Sequence, residues 1–157
     1  MLIEFESALI ERLKAKVIPN VQGWSGKPEE LFLKPKTYPA LRVLIEGVEL
    51  GELHSPYAYV SLVKGSIILF FATIKDKAQG AYSIIEKIIN ALSGFDAVGY
   101  EIRIKKIELL YHENTDFAYT ISYEGLGRYV VPYEEDEVLT KKIKLYEGEE
   151  LISEVSK

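Results

Sequence analysis

Two histidines, one serine-centred tetrapeptide and a scatter of carboxylates are the residues whose types and spacing first invite a chemical reading. His54 follows Glu52 by two residues, which puts both on one side of an extended segment. His112 could pair in the same way with Glu113 or with Asp116. Either group offers two metal ligands, but zinc sites draw three or four at recognisable spacings, and no third ligand appears. Both histidines therefore read as surface loop residues. Gly23-Trp24-Ser25-Gly26 resembles the start of a nucleophile elbow, yet Lys27 holds the place of the closing glycine and no strand is expected ahead of it. Gly26-Lys27 lacks the hydroxyl residue and glycine spacing of a phosphate loop, and Pro28 is expected to spoil the helix start such a loop needs. Gly125-Leu126-Gly127 supplies two glycines of a dinucleotide fingerprint, with Val130 in the third place, and reads as a turn. Glu101-Ile102-Arg103 comes nearest to a nuclease cluster, but on a strand it is a polar outward face. No constellation for catalysis assembles, so no enzyme activity, cofactor or metal is expected.

The totals narrow the partners. A net charge of −5 argues against nucleic acid as the main partner, because phosphate binding needs a concentrated excess of Lys and Arg. It argues equally against an anionic membrane surface, and no apolar run reaches the ~18 residues of a transmembrane helix. Acids stand in the first residues where a secretion signal carries bases, so no signal peptide is expected. Cysteine is absent, which removes disulfides and thiolate chemistry and makes the cytoplasm the default compartment. At 157 residues, 48% of them apolar, one domain with a sizeable core is expected.

The elements that would position any site follow from the hydrophobic period. Residues 3–16 carry Phe5, Ala8, Leu9 and Leu13 along one side of a helix. Residues 21–39 are a long connection broken by glycines and prolines, and loops of that length are usually functional or ordered by a partner. Residues 40–46 alternate as a strand, 47–59 read as irregular, and 67–74 form a strand apolar on both faces, with Gly65 a bulge or bend ahead of it. Ala81, Ile84, Ile85, Ile88, Ile89 and Leu92 then mark a helix. Asp76 and Gln79 resemble its capping box, and Gly94 its left-handed C-cap. The alternation in 100–111 slips near Lys105 and Lys106, which predicts a bulge. A turn at 112–116 leads to the strand at 117–123, which Gly125 to Gly127 should end. The expected fold is α+β, ordered α-β-β-α-β-β, with a mainly antiparallel four-stranded sheet under two helices. Residues 1–127 form that domain, and 128–157 an extension whose segments 138–146 and 151–155 read as a β-hairpin.

Two helices can cover one face of such a sheet, so the second face of the 67–74 strand needs another cover. The long loops, the terminal hairpin or another copy of the chain would serve, and self-association is expected. Eleven tyrosines and one tryptophan supply contact residues of the kind that anchor interfaces. Trp24, Tyr57, Tyr59, Ile68, Phe70, Arg128 and Tyr129 are the candidate interface positions.

The stretch YPALRVLIEG at 38–47, followed by QGAYSIIEKIINALSGF at 79–95 and a final pair of strands, is similar to the Mu-like prophage tail protein family over about residues 2–124. The order of elements also resembles the tail-terminator fold of long-tailed phages. The resemblance implies a structural protein of a phage or prophage tail, assembled in the host cytoplasm and resident in the virion tail. It further implies a ring-like homo-oligomer, six copies being the number it suggests, that meets tail-tube and head-connector proteins. The reading it competes with is a host-encoded small-ligand or regulatory binding module built around Trp24, Tyr57 and His54.

Overall fold

The computed structural model describes residues 1–31, 35–55, 57–111 and 117–132. The expected turn at 112–116 and terminal hairpin at 138–155 lie outside the described residues. Helix α1 (Leu2–Lys16) comes first, then β1 (Val21–Gly23), α2 (Pro28–Leu31), β2 (Ala40–Ser55), β3 (Ala58–Phe70), α3 (Ala81–Leu92), β4 (Asp96–Ala97), β5 (Tyr100–Tyr111) and β6 (Phe117–Val130). The strands make one six-stranded sheet in the order β1-β2-β3-β6-β5-β4. Only the β1–β2 pair is parallel. The sheet is therefore mixed and larger than the four antiparallel strands the sequence suggests. The three residues Val21–Gly23 are too few to show a period, and the same holds for Asp96–Ala97.

Helices α1 and α3 lie on one face. Phe5, Leu9 and Leu13 from α1 and Ala81, Ile84, Ile88 and Leu92 from α3 are fully buried against Leu41, Val43, Val63, Ile67, Leu69 and Ile121. Each of the larger side chains in this set stabilises the fold by about 1.5–3 kcal/mol on leaving water. Arg12 ties the two helices, donating from Nε to the Ala91 carbonyl at 2.9 Å and lying 5.0 Å over the Phe95 ring.

Several expectations are corrected. Residues 47–59 are not irregular: β2 runs to Ser55 and turns back into β3, with register shifts at Ile45/Gly47, Leu50/Leu53 and Leu53/Ser55 that erase the alternation. The apolar strand stops at Phe70, and Phe71 to Ile74 lead away from the sheet. Gly125 and Gly127 do not end β6, which continues to Val130. They are glycines because a Cβ at Gly125 would press on Phe5 Cε2 (3.0 Å) and Ile102 Cδ1 (3.1 Å), and one at Gly127 on the Gly99 carbonyl (2.8 Å). Pro28 does not spoil a helix but begins α2, where its missing N–H costs nothing. Asp76 Oδ1 does accept from the N–H groups of Ala78 (2.8 Å) and Gln79 (3.0 Å), but this closes the turn ahead of α3; the helix itself is capped by Gly80. The predicted bulge in β5 is present, between Ile104 and Lys106, and Gly94 takes its left-handed conformation at φ 76°.

Candidate interaction surfaces

The opposite face of the sheet carries a second, smaller core of Ala40, Leu44, Ile68, Phe70 and Ala118. Trp24 and Tyr38 pack on it from the two ends of the long connection. Asn20 Nδ2 pins that connection by donating to Thr37 Oγ1 at 2.9 Å, and the Trp24 indole N–H donates to the Lys27 carbonyl at 2.8 Å. Ile68 is 4% and Phe70 5% exposed. The chain thus covers the second face of its apolar strand by itself. The argument for self-association from an uncovered β3 no longer applies, and Ile68 and Phe70 offer no surface to a partner.

Beside this core lies a cleft of about 220 Å³ lined by Gln22, Trp24, Ser25, Glu30 and Arg42. The Arg42 guanidinium stands 5.8 Å over the Phe70 ring, and its Nη1 is buried with no hydrogen-bond partner among the described residues. Ser25 Oγ donates to Glu30 Oε2 in a short hydrogen bond. Contrary to expectation a strand, β1, does precede this serine, and a short helix follows it. The left-handed residue is nevertheless Gly26 (φ 94°) and not Ser25, so the strained backbone of a nucleophile elbow is missing.

Tyr57, Tyr59, Arg128 and Tyr129 gather at the other end of β3. Tyr59 pairs with Tyr129 across β3 and β6, Val60 with Arg128, and the Tyr57 carbonyl accepts from Val131 N–H at 2.7 Å. The Arg128 side chain is exposed and its carbonyl accepts from the Tyr100 hydroxyl at 3.3 Å. Tyr129 lines a groove of about 600 Å³ with Met1, Leu2, Ile3, Val48 and Leu50, on the helix-bearing face. Trp24 and Tyr57 therefore lie at opposite ends of a 13-residue strand and do not converge on one pocket. That removes the basis of the small-ligand module. His54 falls in β2, His112 falls outside the described residues, and Glu101 and Arg103 are exposed on β5 as expected. Among the described residues no three His, Asp or Glu side chains come together as metal ligands, and no helix is long and apolar enough to cross a membrane.

The most distinctive features left at the surface are the margins of the sheet. β2 carries Glu46, Glu49 and Glu52 along its outer reach, and β5 carries Arg103, Lys105 and Lys106. Leu50 is 52%, Ile107 36% and Leu109 39% exposed. The acidic margin is hidden in the sequence because β2 reads as irregular there. The exposed apolar pair on β5 is visible as alternation but not as surface.

No protein-family model matches the sequence, and no curated protein matches it. Among solved structures, a chain of the virion of a native gene transfer agent particle has the same fold, with a TM-score of 0.57 at 11% identity. The match covers 79% of this chain and 94% of that one. Two structures from Akkermansia muciniphila, one of them of a protein without its transmembrane region, match at TM-scores of 0.35 and 0.32 with 12% and 13% identity. They cover 85% of this chain each and 77% and 84% of theirs, and at those scores they carry no argument. The first likeness is one of fold, and it does not single out the Mu-like prophage tail family.

Proposed function

We propose that this chain is a non-enzymatic structural protein of a phage-like tail, and within that class a ring-forming tail terminator at the end of the tail tube. The observation that carries the reading is the shared fold with a chain of a gene transfer agent virion, which spans nearly all of that chain. The resemblance of residues 38–47 and 79–95 to Mu-like prophage tail proteins falls on β2, which contributes to both cores, and on α3, which contributes to the larger one. A virion component needs surfaces more than a reaction centre, and the charged, apolar margins of the sheet are surfaces of that kind. In this reading copies of the chain close into a ring of about six. The ring then meets the tail-tube protein on one side and the head connector on the other, without nucleic acid or membrane as main partner.

Light scattering after size exclusion, combined with negative-stain microscopy of the full chain, tests the proposal. A discrete annular oligomer that caps the ends of purified phage tail tubes supports it. A chain that stays monomeric up to high concentration and leaves tube ends bare sinks it.

A further inference from the structure

The two outermost strands of the sheet are too short to cover their neighbours. β1 pairs with β2 only over Leu41, Arg42 and Val43, so residues 44–55 form an outer edge with no strand beside it among the described residues. At the other margin β4 pairs only with Tyr100 and Glu101, and Gly94 and Phe95 bond to Ile102, leaving 103–111 as a second such edge. Open edges of this length are ready templates for another strand. Their chemistry is opposed. The β2 edge carries Glu46, Glu49 and Glu52 with no Lys or Arg; the β5 edge carries Arg103, Lys105 and Lys106 against one acid, Glu108. On the helix-bearing face, Val48 and Leu50 accompany the acidic edge, and Ile107 and Leu109 the basic one.

We propose that the β5 edge of one copy pairs with the β2 edge of the next, continuing the sheet from subunit to subunit. This rests on the ring reading above and names its interface. Strand direction supports it: β2, β3, β6 and β5 alternate strictly antiparallel, so a following β2 laid against β5 keeps the alternation. Charge selects the head-to-tail form. A twofold pairing of β5 with β5 sets lysines against lysines, and β2 with β2 sets glutamates against glutamates, whereas β5 with β2 pairs opposite signs. Such a heterologous contact closes into a ring when its rotation allows. The continued sheet would bring Ile107 and Leu109 beside Val48 and Leu50 on one face, covering the apolar surface that both margins now expose. Glu49 pairs with Lys64 at 2.8 Å and Lys106 with Glu108 at 2.7 Å, both exposed and readily exchanged, while Lys105 reaches the partly buried Glu124 at 3.8 Å and Glu46 accepts from the buried Ser66 hydroxyl.

Charge reversal on full-length protein tests this directly. Lys105→Glu with Lys106→Glu makes both edges acidic, and Glu49→Lys with Glu52→Lys makes the β2 edge basic like β5. All four positions are exposed, so both variants should fold, which circular dichroism checks. Each variant alone should associate at least tenfold more weakly than wild type and run near the 17.8 kDa monomer mass. Mixed in equal amounts they should recover the wild-type mass, because every junction in an alternating assembly is then complementary. An oligomeric wild type whose mass neither variant changes, or a mixture that stays monomeric, overturns this interface and leaves the ring reading standing. A wild type that is itself monomeric and leaves tube ends bare overturns both.

Discussion

The hydroxyl of Tyr123 donates to the carbonyl of Leu44 at 2.7 Å, from β6 to β2, over the top of β3. The strand between them permits this because Gly65, directly opposite Tyr123, has no side chain; a Cβ there would fall inside both the Leu44 oxygen and the Tyr123 ring. The ring continues into the core, 6.2 Å from Phe5, which meets Tyr100 edge-on at 5.7 Å. Tyr123→Phe leaves a buried carbonyl without its donor and should destabilise by about 1–3 kcal/mol in urea denaturation. Gly65→Ala should cost a similar ~1–3 kcal/mol by overpacking. Because the two changes disrupt one contact, the double variant should lose less than the sum.

Alkaline pH should report the same residue. Burial pushes the Tyr123 phenol well above its ordinary value of 10.0, and the charges of Glu46 and Glu6 push it further the same way. Above pH 10 the unfolded chain therefore releases a proton that the folded chain retains. The stability contributed by the neutral phenol is full below about pH 10 and drains away as pH rises beyond it. The slope of stability against pH above 10 should flatten in Tyr123→Phe, and an unchanged slope would reject the assignment.

The β4–β5 turn carries a residue unsuited to it. Val98 has φ 46° and Gly99 φ 91°, the left-handed pair of a tight hairpin, with Asp96 Oδ1 accepting from Gly99 N–H at 2.7 Å. A β-branched side chain is strained there, and at 52% exposure it returns little burial. Val98→Asn should raise stability by about 1 kcal/mol, visible as a higher thermal midpoint.

Trp24 is the only tryptophan and the cover of the second core, which makes the docking of the long connection measurable. Trp24→Ala should destabilise by about 1–3 kcal/mol, less than a fully buried aromatic because the ring is only half-buried. Phe70→Ala should shift the Trp24 emission to the red while the fold persists. Emission unchanged in that variant would mean the indole does not rest on Phe70's cluster in solution.

How much of this was legible before the fold was known depended on period and length. Helix α3 could be read from its isoleucine stripe and Gly94, and the β5 bulge from a slip in alternation at Lys105, because both signals are local and long enough to count. The β2–β3 arm could not, since three register shifts within β2 scramble its alternation and two glycines mimic loop composition. Gly125 and Gly127 looked like punctuation but answer to Phe5 and Tyr100, which are remote in sequence. Among the candidate surface residues, Trp24, Ile68 and Phe70 do come together, but against one another within the chain. Tyr59 and Tyr129 also meet, across a strand pair the sequence did not extend that far. Neither convergence follows from spacing alone. Both depend on which strands lie side by side.

The pairing of β3 with β6 has a kinetic consequence. Ala58 meets Val130 and Phe70 meets Ala118, so the central strand gains its neighbour only from the far side of α3, β4 and β5. During synthesis the β2–β3 hairpin emerges long before β6 and holds Ile67 to Phe70 with one strand edge unfilled. Closing so large a loop is slow relative to local helix or hairpin formation. The nascent chain therefore passes through an interval in which its most apolar segment is also its most adhesive one. Synthesis rate and chaperone access should govern its yield more than its final stability does.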